Sequence, residues 1–144
     1  MEDIQLLREY LGGMKGIGNP RTELDFIPII YAGFPVSLIS SLSEKVKLSE
    51  GTISHALSIA PRTLARRKKH AVRFKRLESE LLFRLAQVSA VGTRVLGSGE
   101  KAGEWLNTSN RALRGERPIS LLDTQIGFQA VLDLLGRIEH GVFS

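Results

Sequence analysis

The sequence predicts an all-α protein, on three observations made along its 144 residues. Apolar residues recur every three or four positions in most segments, which is the spacing of one face of a helix. No segment alternates apolar and polar residues over the length of a strand. Serine, threonine, proline and glycine stand where helices would begin and end. Because 42% of the residues are hydrophobic, the chain can also build a packed core.

A short helix is predicted over residues 2–11, because Ile4, Leu7 and Leu11 stand at helical spacing. Four glycines and a proline follow within residues 12–20, a composition typical of a flexible connector. We therefore expect residues 1–20 to form a flexible N-terminal arm outside the main fold.

Two helices are predicted between residues 21 and 47. Thr22 can cap the first one, with Asp25 as the acidic residue of a capping box, and Gly33 would end it. The second helix runs from about residue 36 to residue 47. The expected buried residues are Phe26, Ile29 and Ile30 in the first helix, and Leu38, Ile39, Leu42 and Val46 in the second.

Residues 49–70 have the spacing of a helix-turn-helix. Ser49 can cap a helix that runs to about residue 57, a break follows at residues 58–60, and Pro61 suits the first turn of the next helix. Ser58 stands where the turn usually has glycine, and Arg67 where an apolar residue is common. The packing positions hold Ile53, Ser54, Leu57, Ile59 and Leu64. We expect a helix-turn-helix DNA-binding domain over residues 21–70.

A second small helical domain is predicted over residues 71–144. A long helix over residues 77–96 would end at Gly97, a short helix would span residues 100–106, and residues 107–118 would form turns. The last helix would begin at Asp123 or Thr124 and run to about residue 140. The expected buried faces are Leu77, Leu81, Leu85, Val88, Val91 and Val95 in the long helix, and Phe128, Val131, Leu135 and Ile138 in the last one.

The positive charge of the chain is concentrated in one stretch. The net charge is +5, and residues 62–76 contain no acidic residue, whereas acidic residues outnumber basic ones elsewhere. A local patch of this kind attracts a polyanion such as the DNA backbone. Its basic residues are Arg62, Arg66, Arg67, Lys68, Lys69, Arg73, Lys75 and Arg76.

The helix that begins at Pro61 stands where a helix-turn-helix protein reads the major groove. We expect base contacts from its N-terminal half, and phosphate contacts from its C-terminal half and from the start of the supporting helix. The alternative is a solvated basic helix in an ordinary bundle. The expected base contacts are Arg62, Thr63 and Arg66, and the expected phosphate contacts are Arg67, Lys68, Lys69, Ser49 and Thr52.

No pattern in the sequence predicts catalysis. There is no cysteine, and His55, His70 and His140 do not have the spacing of metal ligands. No pair of carboxylates or nucleophile with a base is apparent. We therefore expect neither enzyme activity nor a cofactor or metal. An acidic N-terminus and the absence of a long apolar run predict a soluble cytoplasmic protein.

Several segments together resemble the MbcA/ParS/Xre antitoxin family. Residues 60–68 resemble its recognition helix, and the resemblance extends over roughly residues 25–144. Ser109 replaces a usual proline, and Arg114 stands where glycine is common. The other matching segments are Lys101-Ala102, Trp105-Leu106, Asn110 to Leu113, Gly115, Pro118, Leu121 to Thr124, Gly127 and Leu134 to Phe143.

The resemblance implies a type II toxin–antitoxin system. Members of the family pair with a RES-domain toxin that consumes NAD, bind it through the C-terminal domain and block its pocket. The complex represses its own operon through the helix-turn-helix. This implies two partners for the present chain, a RES-domain toxin and operator DNA.

The end of the chain supplies the expected toxin contacts. A toxin pocket for NAD would hold cationic groups for the pyrophosphate, which Glu139 and a terminal carboxylate could satisfy. The alternative is that Phe143 folds back onto the core. The expected contacts are Arg137, Glu139, His140, Val142, Phe143 and Ser144.

Two further possibilities stay open in the sequence. The chain could be a stand-alone helix-turn-helix regulator without a toxin partner. We also expect a homodimer, because a single recognition helix gives modest affinity for DNA. Either residues 2–11 or the 77–96 helix could supply the dimer interface.

Overall fold

The structure is a computed structural model that describes residues 3–141, apart from the side chains of residues 14 and 15. Every regular element in this range is helical, which confirms the predicted all-α class. The α-helices are α1 (Ile4–Tyr10), α2 (Gly13–Ile17), α3 (Phe26–Ala32), α4 (Leu38–Val46), α5 (Glu50–Ala56), α6 (Pro61–His70), α7 (Arg76–Leu96), α8 (Gly99–Leu106) and α9 (Gln125–Glu139). Short 3-10 turns cover Glu23–Asp25, Arg111–Leu113 and Pro118–Leu121.

The N-terminal segment packs on the body of the protein, which corrects the expectation of a flexible arm. Leu7, Tyr10 and Leu11 are buried, and α1 lies against both α4 and α7. The hydroxyl of Tyr10 shares a hydrogen bond of 2.5 Å with the Thr93 hydroxyl on α7. Gly12 adopts a φ of 92°, so the glycine-rich stretch forms a tight turn between α1 and α2. The apolar face of α1 is buried because α4 and α7 offer a complementary surface.

The 21-residue helix α7 is the central element, and it packs against α1, α3, α8 and α9. Its predicted buried face is correct only in part. Leu85 and Val88 are buried, but Leu77 is 75% exposed. Because helices approach α7 from several sides, its buried surface also includes Ser79, Leu82, Ala86, Ser89 and Ala90.

The C-terminal helices follow the predicted order. Ser98 caps α8 and Thr124 caps α9, each accepting a hydrogen bond from a backbone N–H in the first turn. Helix α8 packs against α4 and α7, and α9 packs against α7. The buried side chains from α1 to α9 form one continuous core. The domain boundary at residue 70 therefore stays a prediction.

None of the helices in the described part of the chain is both long enough and apolar enough to span a membrane.

Candidate functional surfaces

Helices α5 and α6 and the turn between them form the predicted helix-turn-helix. Ser49 begins α5, and its Oγ accepts a hydrogen bond of 3.0 Å from the backbone N of Thr52. Ser58 has a φ of 59°, the left-handed conformation for which this turn usually uses glycine. All the predicted packing residues are buried: Ile53, Ser54, Leu57, Ile59 and Leu64.

One face of α6 is basic and turned to solvent. Arg62, Arg66 and Lys69 share this face at helical spacing, and all three are exposed. Among residues 3–141, none forms an ion pair or hydrogen bond with these three side chains. Thr63 is half-buried at the edge of the face, and the small residue Ala65 lies between the basic side chains. We call Arg62, Arg66 and Lys69 the basic stripe.

Arg67 points away from the basic stripe, which corrects the expectation that it holds a phosphate. Its side chain is 8% exposed, and its guanidinium lies 2.6 Å from the Glu78 carboxylate on α7. Burial raises the pKa of Glu78, but hydrogen bonds from Arg67 and from the backbone N of Lys75 outweigh burial, so the pKa lies below its ordinary value. The ionised pair therefore fastens α6 to α7.

Lys68 belongs to a polar cluster that joins α4, α5 and α6. Its Nζ pairs with the Glu50 carboxylate and donates to Ser40 Oγ at 3.3 Å, while Ser40 Oγ donates to Glu50 at 3.0 Å. The hydrogen bond from Lys68 holds the pKa of Glu50 below its ordinary value. The Lys68 side chain stays 36% exposed, so a phosphate can still reach it.

Ser49 and Thr52 lie on the wall of an open cavity of about 580 Å³. Ser49 Oγ donates to Thr52 Oγ1 at 2.8 Å, so the Thr52 hydroxyl keeps its own hydrogen for another acceptor. The cavity is also lined by Arg117, Ser120 and Asp123, from the segment between α8 and α9. Sequence reasoning missed these residues because only the tertiary fold brings them to α5.

Three of the expected toxin contacts, Arg137, Glu139 and His140, lie at the end of α9. Arg137 and His140 are exposed, and α9 ends at Glu139. The other expected contacts, Val142, Phe143 and Ser144, lie outside the described residues.

Glu139 is neutralised by Arg94 in the last turn of α7. Arg94 Nε also donates to Asp3 Oδ1 at 3.0 Å, ahead of α1. One arginine thus joins three helix ends, those of α1, α7 and α9. This cluster could not be predicted from sequence, because its pairs are 91 and 45 residues apart along the chain.

Two known protein families match successive parts of the chain. Residues 25–87 match the family described as the antitoxin Xre-like helix-turn-helix domain. Residues 92–141 match the family described as the antitoxin Xre/MbcA/ParS C-terminal toxin-binding domain. The basic stripe falls in the first match, and the end of α9 falls in the second.

Individual relatives show the same similarity. The chain is 38% identical to an Antitoxin Xre of Yersinia enterocolitica over 116 residues, which cover 80% of this chain and 78% of the relative. It is 31% identical to an Antitoxin Xre of Photorhabdus laumondii over 117 residues, covering 81% of this chain and 79% of the relative.

A solved structure extends the similarity to three dimensions. The fold superposes on a chain in the crystal structure of the Mycobacterium tuberculosis MbcT–MbcA toxin–antitoxin complex with a TM-score of 0.58 and 27% identity. The match covers 76% of this chain and 96% of that one. The chain described here therefore belongs to the Xre/MbcA/ParS family of antitoxins, with a helix-turn-helix domain and a C-terminal toxin-binding domain.

Proposed function

We propose that this chain inhibits a RES-type, NAD-degrading toxin and represses its own operon. The observation that carries the DNA half is the basic stripe of α6, exposed and without an internal counter-charge among the described residues. The stripe lies on the second helix of the motif, which is the helix that enters the major groove in helix-turn-helix proteins. Family membership, together with similarity to a chain of a toxin–antitoxin complex, supports the toxin half.

On DNA, the N-terminal half of α6 reads bases, and the surrounding residues hold phosphates. Arg67 does not take part directly, but it keeps α6 in place through Glu78. The base contacts are Arg62, Thr63 and Arg66, and the phosphate contacts are Lys68, Lys69, Ser49 and Thr52.

Toward the toxin, the chain uses the end of α9 and the residues that follow it. Arg137 and His140 are exposed there. The proposed contact set is Arg137, Glu139, His140, Val142, Phe143 and Ser144.

The proposed role is inhibition and repression without catalysis, cofactor or metal. Because operator DNA lies in the bacterial cytoplasm, the protein would act there. It would do so as a homodimer, since two recognition helices on paired half-sites bind DNA more tightly than one.

Co-expression with the product of the adjacent gene tests the toxin half. The full chain should co-purify with that product, restore growth and preserve cellular NAD, whereas a chain that lacks residues 137–144 should do none of these. Circular dichroism of the truncated chain checks that the helices remain. If neither form binds the neighbouring protein, the chain is a stand-alone regulator and the toxin half of the proposal is wrong.

The double variant Arg62→Ala/Arg66→Ala is the matched control, because it alters only the DNA surface. It should keep toxin binding and lose operator affinity by at least about 30-fold, since each arginine–base contact contributes about 1–3 kcal/mol. Fluorescence anisotropy with operator DNA at fixed salt measures this loss. Unchanged affinity would contradict the role of the basic stripe.

A further inference from the structure

One surface of the helix-turn-helix domain is apolar although it faces solvent. Leu24, Ile27 and Tyr31 are 73%, 43% and 60% exposed, and their spacing places them on one side of the 3-10 turn and α3. Exposed apolar side chains that form a contiguous patch often mark an interaction site, whereas single ones scattered over a surface are ordinary.

The start of α7 extends this surface. The Arg76 guanidinium lies 4.0 Å from the centre of the Tyr31 ring, which brings the first turn of α7 beside α3. Leu77 follows and is 75% exposed. It shares a helix face with Glu80 and Arg84, which line a groove together with Leu24 and Ile27. We call Leu24, Ile27, Tyr31 and Leu77 the apolar face.

The size of the apolar face suits a protein interface. Its exposed fractions correspond to apolar area on the order of 400 Å². A standard interface buries about 800 Å² on each partner, a little over half of it apolar. The apolar face and its polar rim together therefore supply an interface of ordinary size and composition.

The position of the apolar face favours a second copy of this chain over the toxin. Three of its four residues lie within residues 25–87, the helix-turn-helix match, and none lies within residues 92–141, the toxin-binding match. Its rim carries both signs of charge, with Arg76 and Arg84 against Glu23 and Glu80. A two-fold interface pairs a surface with itself, so it needs a rim of both signs.

We propose that two copies of this chain associate through the apolar face, with α3 and the first turns of α7 packing on the same elements of the partner. This inference rests on the proposed DNA-binding function, which it deepens by naming the surface that joins two recognition helices. Because Arg67 and Glu78 fasten α6 to α7, the dimer contact on α7 would set the spacing of the two basic stripes. The sequence suggests residues 2–11 or the 77–96 helix as the dimer interface. The apolar side of α1 and the inner side of α7 are buried within one chain, so of these two segments the proposed interface uses only the outer side of the first turns of α7.

Sedimentation equilibrium of the purified full chain is the first test. The wild type should have the mass of two chains at micromolar concentration, and Leu24→Asp and Leu77→Asp should each weaken association at least tenfold. Ala112→Asp adds the same charge at an exposed position outside the apolar face and should leave association unchanged. A wild type that stays monomeric at 100 µM, or aspartate variants that remain dimeric, would overturn the proposal.

Single-cysteine variants give a second readout that does not depend on disruptive substitutions. The chain has no cysteine, so Ile27→Cys and Leu77→Cys introduce unique thiols. A short bis-maleimide should cross-link these variants into dimers, but not Ala112→Cys. Equal yields from all three would contradict the proposed interface.

Toxin capture separates this inference from the proposed function. The aspartate variants should still co-purify with the toxin and restore growth, and should lose operator affinity because they are monomeric. If they stay dimeric and lose the toxin instead, the apolar face binds the toxin and the proposed dimer is wrong. If the wild type captures no toxin, the proposed toxin partnership fails, whatever the outcome for the dimer.

Discussion

Arg67 shows how a charged residue can occupy a packing position of a helix-turn-helix. Its guanidinium is buried, and the cost of removing this charge from water is offset by the ion pair and hydrogen bond with Glu78. The Glu78 carboxylate in turn accepts a hydrogen bond of 2.7 Å from the backbone N of Lys75, at the start of α7. Each partner is therefore compensated by the other, and removing either one leaves a buried charge alone.

Removing one partner of this ion pair should destabilise the protein more than replacing both partners with uncharged residues. We expect Arg67→Ala to lower the free energy of unfolding by about 3 kcal/mol, because Glu78 then loses its counter-charge. The double variant Arg67→Met/Glu78→Gln should recover most of that loss. Urea unfolding measures both, with Arg66→Ala on the exposed face of α6 as a control that changes stability by less than about 0.5 kcal/mol. A double variant as unstable as Arg67→Ala would contradict this account.

The same pair predicts a pH dependence. The pKa of Glu78 is lower in the folded chain than its ordinary value of 4.5, so its contribution is complete above that value and is lost as the pH falls through the folded pKa. The wild type should therefore lose more stability on acidification below pH 4.5 than Arg67→Met/Glu78→Gln does. Parallel pH profiles of unfolding for the two proteins would count against an ionised pair.

Individual residues also show which features a sequence can predict. The turn at Ser58 follows from its position in the motif, and the structure gives it the left-handed conformation of the glycine it replaces. Arg114, where glycine is common in the family, likewise has a φ of 57°. In contrast, the partner of Arg67 could not be predicted, since Glu78 lies on the next helix and outside the basic stretch.

At the scale of the elements, helix ends were predictable because their signals are local. Ser49 and Thr124 each accept a backbone hydrogen bond within three residues of their own position. Which face a helix buries is decided by distant elements. Leu77 is exposed and Ser79 is buried because other helices pack on α7, and the apolar spacing of α7 alone could not show this.

The close contact between α8 and α4 should make the protein's stability sensitive to the size of the side chain at residue 103. A Cβ added at Gly103 would overlap the backbone carbonyl of Val46, which cannot rotate away as a flexible side chain could. We expect Gly103→Ala to destabilise the protein by about 2 kcal/mol or more, since α8 must move off α4. Differential scanning calorimetry measures the effect.

Gly136 on α9 is the matched control for this substitution. A Cβ added there meets no atom within 4 Å, so Gly136→Ala should stabilise the helix by about 0.5–1 kcal/mol. Similar effects of the two alanine substitutions would show that helix propensity, and not the close approach of α8 to α4, decides the outcome.

At the scale of the whole molecule, α7 connects the two functional surfaces. Glu78 holds the recognition helix near its first turn, and Arg94 holds the end of α9 near its last. At a rise of about 1.5 Å per residue these two positions are roughly 24 Å apart. The surfaces are therefore well separated, and a change at one end should leave binding at the other intact.

Arg94 allows this separation to be measured. Its ion pairs with Asp3 and Glu139 are partly exposed, so we expect Arg94→Gln to cost at most about 1 kcal/mol of stability. It should nevertheless weaken toxin binding about tenfold. The proposed contacts lie at the end of α9 and after it, and the variant lacks the ion pair that holds this helix end. Operator affinity should stay within twofold of the wild type. Isothermal titration calorimetry with toxin and fluorescence anisotropy with operator DNA measure the two effects.

Two further variants show whether Arg94 acts by positioning α9. Arg94→Lys keeps the charge and should restore part of the toxin affinity, which a purely steric role would not predict. Arg8→Gln changes an arginine on α1 that donates to Asn19, and it should leave toxin affinity unchanged. If Arg94→Gln binds toxin as tightly as the wild type, the helix ends joined by Arg94 contribute to folding alone. If operator affinity falls in parallel with toxin affinity, α7 transmits changes between its ends, and the two surfaces are coupled.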